Sequence, residues 1–303
     1  MEVTEHVELG SWLIPRVSAA RAATPAGIVG AGFEAYLRIL HPVSVSRDAP
    51  SRLSHTDAEG APDESCWPWA EIARRNGRSM HPLVQWRQLS NEEDQGALSF
   101  PDGWSVERPP DYFLGAAFLS RLVAHIHRSS RSAEDVVAAV WNGFGALNHR
   151  ESLSADSAGW NELGVDVRCL SADDGVVHLV SRQVAEAVTS GPFFELPGRE
   201  YLLFCSSLAE LSDPRWVYSA GIGWGPGFPG VFPQLFWPAT HEWVIGGDVD
   251  LDFTIVGGSS QLIHSIRSDA RFESYIVEAR DDLSRWGDVV SGQADSEEGS
   301  MHL

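Results

Sequence analysis

Asp248, Asp250 and Asp252, in the run GDVDLDF, are the residues of this sequence whose types and spacing come nearest to chemistry. On a strand the i, i+2, i+4 spacing sets three carboxylates on one face and Val249, Leu251 and Phe253 on the other. Carboxylates so placed repel one another, and water, an arginine or a hard cation with oxygen ligands relieves the repulsion. His241 and Glu242 lie just upstream. They would complete a site in which a cation activates water, the chemistry of a metal-assisted hydrolase. The competing reading is the solvated outer face of a half-buried strand, which needs no ligand. The glycine and closing glutamate of an EF-hand loop are missing.

A second constellation is aromatic. Gly225, Gly227 and Gly230 (GPGFPG) satisfy the GxGxxG pattern that cradles a dinucleotide pyrophosphate. Pro226 and Pro229 remove backbone donors, and no phosphate-capturing helix start follows. With Trp224, Phe228, Phe232, Phe236 and Trp237 close by, the stretch reads as a loop of aromatics held by glycine turns. It serves either as a platform for a ligand or partner, with Trp224, Phe228 and Trp237 as contacts, or as a plug for the core. The tryptophan–glycine runs WNGFG (Trp141 to Gly145) and GIGWG (Gly221 to Gly225) allow the same two readings: stacking of a planar ligand or lining of a peptide groove, against plain turn chemistry.

The histidines form no ligand motif. His125 and His127 are two apart on a helical stretch and point to different sides, while His41 and His81 each precede a proline. HExxH, paired CxxC, GxSxG and Walker A are all absent, so no cofactor is called for and the catalytic residues stay unassigned. Cys66, Cys169 and Cys205 are scattered and read as reduced thiols.

Charge narrows the partners. The 303 residues carry 42 acidic and 22 basic side chains, a formal net charge of -20. Such a field repels nucleic acid and anionic lipid and attracts a basic protein, although it serves solubility equally well. The longest apolar stretch, from Tyr112 to Ile126, is interrupted by Arg121 and His125 and falls short of a membrane span. The first eight residues hold Glu2, Glu5 and Glu8 and no Lys or Arg, the reverse of a secretory leader, so a cytoplasmic location is expected.

The elements that must position these residues follow from periodicity. Phe33 to Val45 alternates as a strand ending near Pro42, with Phe33, Ala35, Leu37 and Ile39 on one face. Residues 47–65 are polar and read as a mobile acidic loop. Trp67 to Asn76 is a short helix, with Pro68 in its first turn and Gly77 past its end. Asp111 starts a helix with apolar positions at 114, 118, 122 and 126, running to His127. Val136, Val137, Val140 and Trp141 favour a strand after a turn at Ser132 to Asp135. Cys169 to Val180 and Arg199 to Ser206 are further strands, separated by a helix from Ser181 to Val188. Val244 to Val256 alternates as a strand, Ser259 caps a helix from Ser260 to Ile266, and Phe272 to Val277 is the last strand.

This pattern predicts an α+β fold with a largely antiparallel or mixed sheet and a few packed helices, in one large domain or two intimate halves. The single domain spans residues 1–280, and residues 281–303 form a disordered acidic tail.

The blocks GFEAYLRILHP, WAEIARRNGRSMHPLVQW, AVWNGFG, LPGREYLLF and FWPATHEWVIGGDVDLDFTIVGGSSQLI resemble an actinobacterial family of hypothetical proteins. That likeness implies a whole-chain domain and brings no activity with it. The last block is also similar to the C-terminal portion of SMI1/KNR4-like proteins, which implies an immunity-type role. The expectation is therefore a non-catalytic, acidic binding or immunity-type protein for a basic protein partner, with metal-assisted hydrolysis at the Asp/His/Glu cluster as the alternative.

Overall fold

The structure is a computed structural model that describes residues 1–47, 66–90, 97–111, 115–129, 135–148, 152–154, 160, 172–173, 176–288 and 290. Its principal elements run in chain order as β1 (Glu2–Thr4), α1 (Pro25–Val29), β2 (Ala35–Leu40), β3 (Val43–Arg47), α2 (Trp69–Arg75), β4 (Trp104–Val106), α3 (Ala116–Ser129), β5 (Val136–Trp141), α4 (Arg182–Ser190), β6 (Phe194–Leu196), β7 (Arg199–Ser206), β8 (Leu235–Pro238), β9 (Val244–Gly246), β10 (Phe253–Gly258), α5 (Ser260–Arg267) and β11 (Ser274–Val277). This is an α+β fold with largely antiparallel sheets. Among the described residues no helix is long and apolar enough to cross a membrane. The chain divides into two compact units. One draws on Met1–Ser18 and Gly115–Val244, the other on Ala19–Arg52, Ala61–Leu114 and Ile245–Leu303.

In the first unit β7 is the hub. It pairs antiparallel with β1, with β5 and, through a tight hairpin, with β6, while β8 joins the far side of β5. Val136 to Val140 are all buried, so β5 is a continuous apolar run rather than an alternating one, as expected of a strand covered on both faces. Helix α3 turns Leu119, Leu122, Val123 and Ile126 inward. Burial of each such side chain is worth about 1.5–3 kcal/mol, and that stripe rather than propensity holds the helix in place. The expected start at Asp111 is not used: α3 begins at Ala116, after Gly115 at φ +95°. Helix α4 is entered through Ser181, whose side chain accepts the Val184 N–H at 3.2 Å.

In the second unit β2 runs between β10 and β11. The expected strand over Phe33 to Val45 is present but breaks at His41–Pro42 into β2 and β3, and β3 continues antiparallel to β4. Both faces of β2 are covered, since Tyr36, Leu37, Arg38, Ile39 and Leu40 are all buried. Helix α5 begins where Ser259 accepts the Leu262 N–H at 3.2 Å and places Leu262, Ile263 and Ile266 against the core. Pro68 is the N-cap of α2 rather than part of its first turn, and the carboxylate of Glu273 accepts the first helical N–H groups instead, Trp69 at 2.5 Å and Ala70 at 2.9 Å.

Two further expectations are corrected. Val244 to Val256 is not one strand: β9 stops at Gly246, and β10 begins at Phe253. Between them the Leu251 N–H reaches the Asp248 carbonyl at 3.1 Å and the Asp250 N–H reaches Asp248 Oδ1 at 3.4 Å, a turn closed by the first aspartate itself. The acidic tail does not begin at residue 281 either, because Leu283 and Asp288 are both buried. The loop over residues 48–65, the Ser132 turn, Cys169 and residues 291–303 lie outside the described residues.

Candidate functional site

The turn disperses the aspartate row. Asp250 is exposed, Asp248 and Asp252 are partly exposed, and the three share no strand face. Among the described residues no three His, Cys, Asp or Glu side chains are grouped so as to hold a metal ion. His241 and Glu242 belong to the first unit and the aspartates to the second. His241 stands at φ +59° with its ring stacked on Trp12, centroids 4.0 Å apart and planes 15° from parallel. Burial, and then the Arg16 guanidinium, depress its pKa. Glu242 is exposed.

The aromatic loop divides. Trp237 is fully buried and donates Nε1–H to the Leu9 carbonyl at 3.2 Å, and Phe232 and Phe236 are buried with it. Trp224 is partly exposed and donates to the Val231 carbonyl at 2.6 Å, while Phe228 is 38% exposed at the tip of a turn closed between Gly225 and Phe228. The segment is mostly core, with Phe228 as its projecting residue.

Around the Asp252 end the second unit gathers groups that the sequence did not single out. Arg38 is 0% exposed in the middle of β2. Its guanidinium lies over the Phe253 ring, 4.3 Å from the centroid, and Nη1 donates to the carbonyls of Pro82 at 3.0 Å and Val84 at 2.8 Å. Among the described residues Nε and Nη2 have no hydrogen-bond partner. Burial lowers the guanidinium to about 10, against the opposing pull of Asp252 and Asp288, so it remains a cation at neutral pH. His41 is equally buried. Its Nδ1 lies 2.7 Å from the Pro110 carbonyl, which can only accept, so Nδ1 carries the proton and Nε2 accepts from the Thr254 hydroxyl at 3.0 Å. Burial first, with Arg38 adding to it, holds His41 down to about 4.

The nearby carboxyls move the opposite way. Burial raises Asp252 although it keeps some accessible surface, with Arg38 and Arg108 pulling it down and Asp111 pushing it up. Asp111, 3.2 Å from Arg108, is also raised, by burial and then, against the pull of Arg108, by Asp250. Groups displaced in this way mark functional sites, and they also mark structural clasps. Here the one hydroxyl described on a base, Thr254 on His41 Nε2, is buried with it, Thr254 at 7% and His41 at 0% exposure, and stands as a structural bond. Arg38 spends its bonds on main-chain carbonyls and ties residues 82–84 to the sheet.

The first unit carries an open cleft of about 460 Å³ lined by Trp141, Asn142, Gly143, Glu195, Leu196, Gly198, Arg199 and Glu200. It is built by the β6–β7 hairpin, whose Pro197–Gly198 turn (Gly198 φ +81°) sets Glu195 directly opposite Glu200 and Leu196 opposite Arg199. Opposed residues share a face and neighbours alternate, so the two glutamates point one way and Leu196 and Arg199 the other. Arg199 stacks on Trp141 at 4.7 Å. Asn142 joins the rim by donating its backbone N–H to the Glu200 carbonyl at 2.9 Å, and among the described residues its Oδ1, itself closed off from solvent, has no hydrogen-bond partner. The sequence signal for this rim is the Pro197–Gly198 pair between two short strands, which fixes their pairing.

Comparison with protein-family models, with curated proteins and with solved structures gives no match.

Proposed function

We propose that this chain is a non-catalytic binding protein that holds a basic protein partner through its acidic surface, in the manner of an immunity-type protein. The distribution of its charge carries the reading. Of the acidic side chains whose surroundings are described, Asp288 is buried and the others reach the surface wholly or in part. Many arginines are engaged by neighbouring carboxylates, as in Arg75 with Glu71 and Asp102, Arg182 with Glu186, and Arg271 with Asp269. Each such pair cancels one charge of each sign, so among the described residues the excess of carboxylates faces outward. A surface of this kind steers a cationic partner and speeds its encounter in a salt-dependent way.

A pull-down from native extract at low and high salt, with metal content read on the same purified protein, tests the reading. A basic partner retained at low salt and released at high salt supports it. A partner indifferent to salt, or bound metal with no partner, counts against it.

A further inference from the structure

We infer that Asn76 is a site of spontaneous deamidation in the folded chain, where a side-chain amide becomes a carboxylate and helix α2 loses its hold on the segment packed beside it. Asn76 and Asn142 are the asparagines that glycine follows. Such a pair closes on itself, because glycine has no side chain to hinder its own nitrogen. The Gly77 nitrogen attacks Asn76 Cγ. The N–Cγ bond forms as the Cγ–Nδ2 bond breaks, and the Gly77 amide proton leaves with Nδ2 as ammonia. Water then opens the five-membered imide at one of its two carbonyls, giving aspartate or isoaspartate.

The structure separates the two pairs. Asn76 is the C-cap of α2, and the Arg78 N–H closes the cap on the Ala73 carbonyl at 2.8 Å. Gly77 is exposed at φ +66° with open space where a Cβ would lie, and among the described residues its N–H has no hydrogen-bond partner. The attacking nitrogen is therefore not tied. At ψ 5° Asn76 must swing to the extended region to bring that nitrogen against Cγ. The reaction thus passes through opening of the last helical turn, and exposed helix ends open at low cost. Asn142 is held more firmly. Its N–H is bound to the Glu200 carbonyl at 2.9 Å beside the β5–β7 ladder, its Oδ1 is closed off from solvent, and Trp141 Cζ2 stands 2.1 Å from where a Cβ of Gly143 would lie.

The change has a structural consequence. Asn76 Nδ2 donates to the Leu89 carbonyl at 2.7 Å and so ties α2 to the short helix Trp86–Ser90. A carboxylate can only accept, so deamidation sets two acceptors face to face. It also adds negative charge at the C-terminal end of α2, where the helix dipole is already negative. Isoaspartate inserts an extra backbone carbon into the cap as well.

The test is Glu-specific peptide mapping by mass spectrometry on the full chain aged at mildly alkaline pH, folded and in urea. In urea the two pairs should react alike. In the folded chain Asn76 should react about tenfold faster than Asn142. Equal or faster conversion of Asn142 would overturn the assignment. So would an Asn76 left intact in the folded chain over about a hundred half-lives of the urea reaction. Asn76→Asp, made directly, should lower the thermal midpoint by about 2–4 °C. Asn76→Gln keeps a donor and should melt closer to the parent. An Asp variant that melts with the parent would overturn the release of α2.

Discussion

Acidification from pH 7 to pH 4 should remove roughly 3 kcal/mol of folding stability through His41 alone. The ring is 0% exposed and is held neutral at about 4 against an ordinary 6.5. The unfolded chain therefore takes up this proton from pH 6.5 downward, and the folded chain only near pH 4. The stabilisation is complete above pH 6.5 and is lost as the pH falls through that window. At about 1.4 kcal/mol per unit, the full displacement is worth roughly 3 kcal/mol. Asp252, Asp111 and Glu273 act in the opposite sense, because burial raises all three and folding gains as they protonate. The total pH curve is thus a mixture, and the His41 contribution is isolated by difference. His41→Gln should be less stable than the parent at pH 7, by about 1–3 kcal/mol for the disturbed bonds to Pro110 and Thr254. Its urea-unfolding free energy should then fall less steeply than the parent's between pH 6.5 and 4, the two curves converging. Parallel curves would falsify the assignment of a neutral, buried imidazole.

Two further substitutions probe packing at named atoms. Asp288 accepts the Gln85 N–H at 3.1 Å and lies 3.1 Å from His81 Nε2, with its own side chain 0% exposed. Asp288→Ala should cost about 1–3 kcal/mol in chemical denaturation by stranding that buried N–H, while Asp288→Asn, which keeps an acceptor, should retain most of it; equal losses would remove the hydrogen-bond argument. Gly221 sits at φ +65° with the position of a Cβ only 2.6 Å from Ser181 Cβ and 2.8 Å from its hydroxyl, the group that caps α4. Gly198, at φ +81°, has open space there. Gly198→Ala should cost only the backbone penalty of about 1–2 kcal/mol, and Gly221→Ala more by about another 1 kcal/mol for the displaced cap. Thermal melts that rank the two equally would refute the contact.

Elements whose ends carry their own chemistry were legible before any coordinates. Ser259 and Ser181 each announce a helix because a hydroxyl ahead of an apolar stripe satisfies an otherwise orphaned N–H, and α5 and α4 start where those residues stand. The strand Arg199 to Ser206 was legible from its apolar run, Tyr201 to Cys205. The aspartate row was misread for a definite reason: alternating Asp and apolar residues satisfy strand periodicity, yet an aspartate also closes a turn on its own backbone, and here Asp248 does so.

The sequence by itself determined the acidity, the α+β class and the type of most elements, because these depend on composition and on neighbours a few residues apart. The tertiary structure alone decided which distant groups meet. Arg38 finds its two carbonyls more than 40 residues along the chain and its aromatic floor in Phe253. Its local run, AYLRILH, reads as an ordinary strand and gives no sign that a guanidinium is buried there. A local pattern fixes which face a side chain takes, but not what packs against that face, since that depends on how strands from remote segments pair. The cleft shows both halves of that division: the Pro-Gly turn alone opposed Glu195 to Glu200, but pairing of β7 with β5 was needed to bring Trp141 and Asn142 to the same rim.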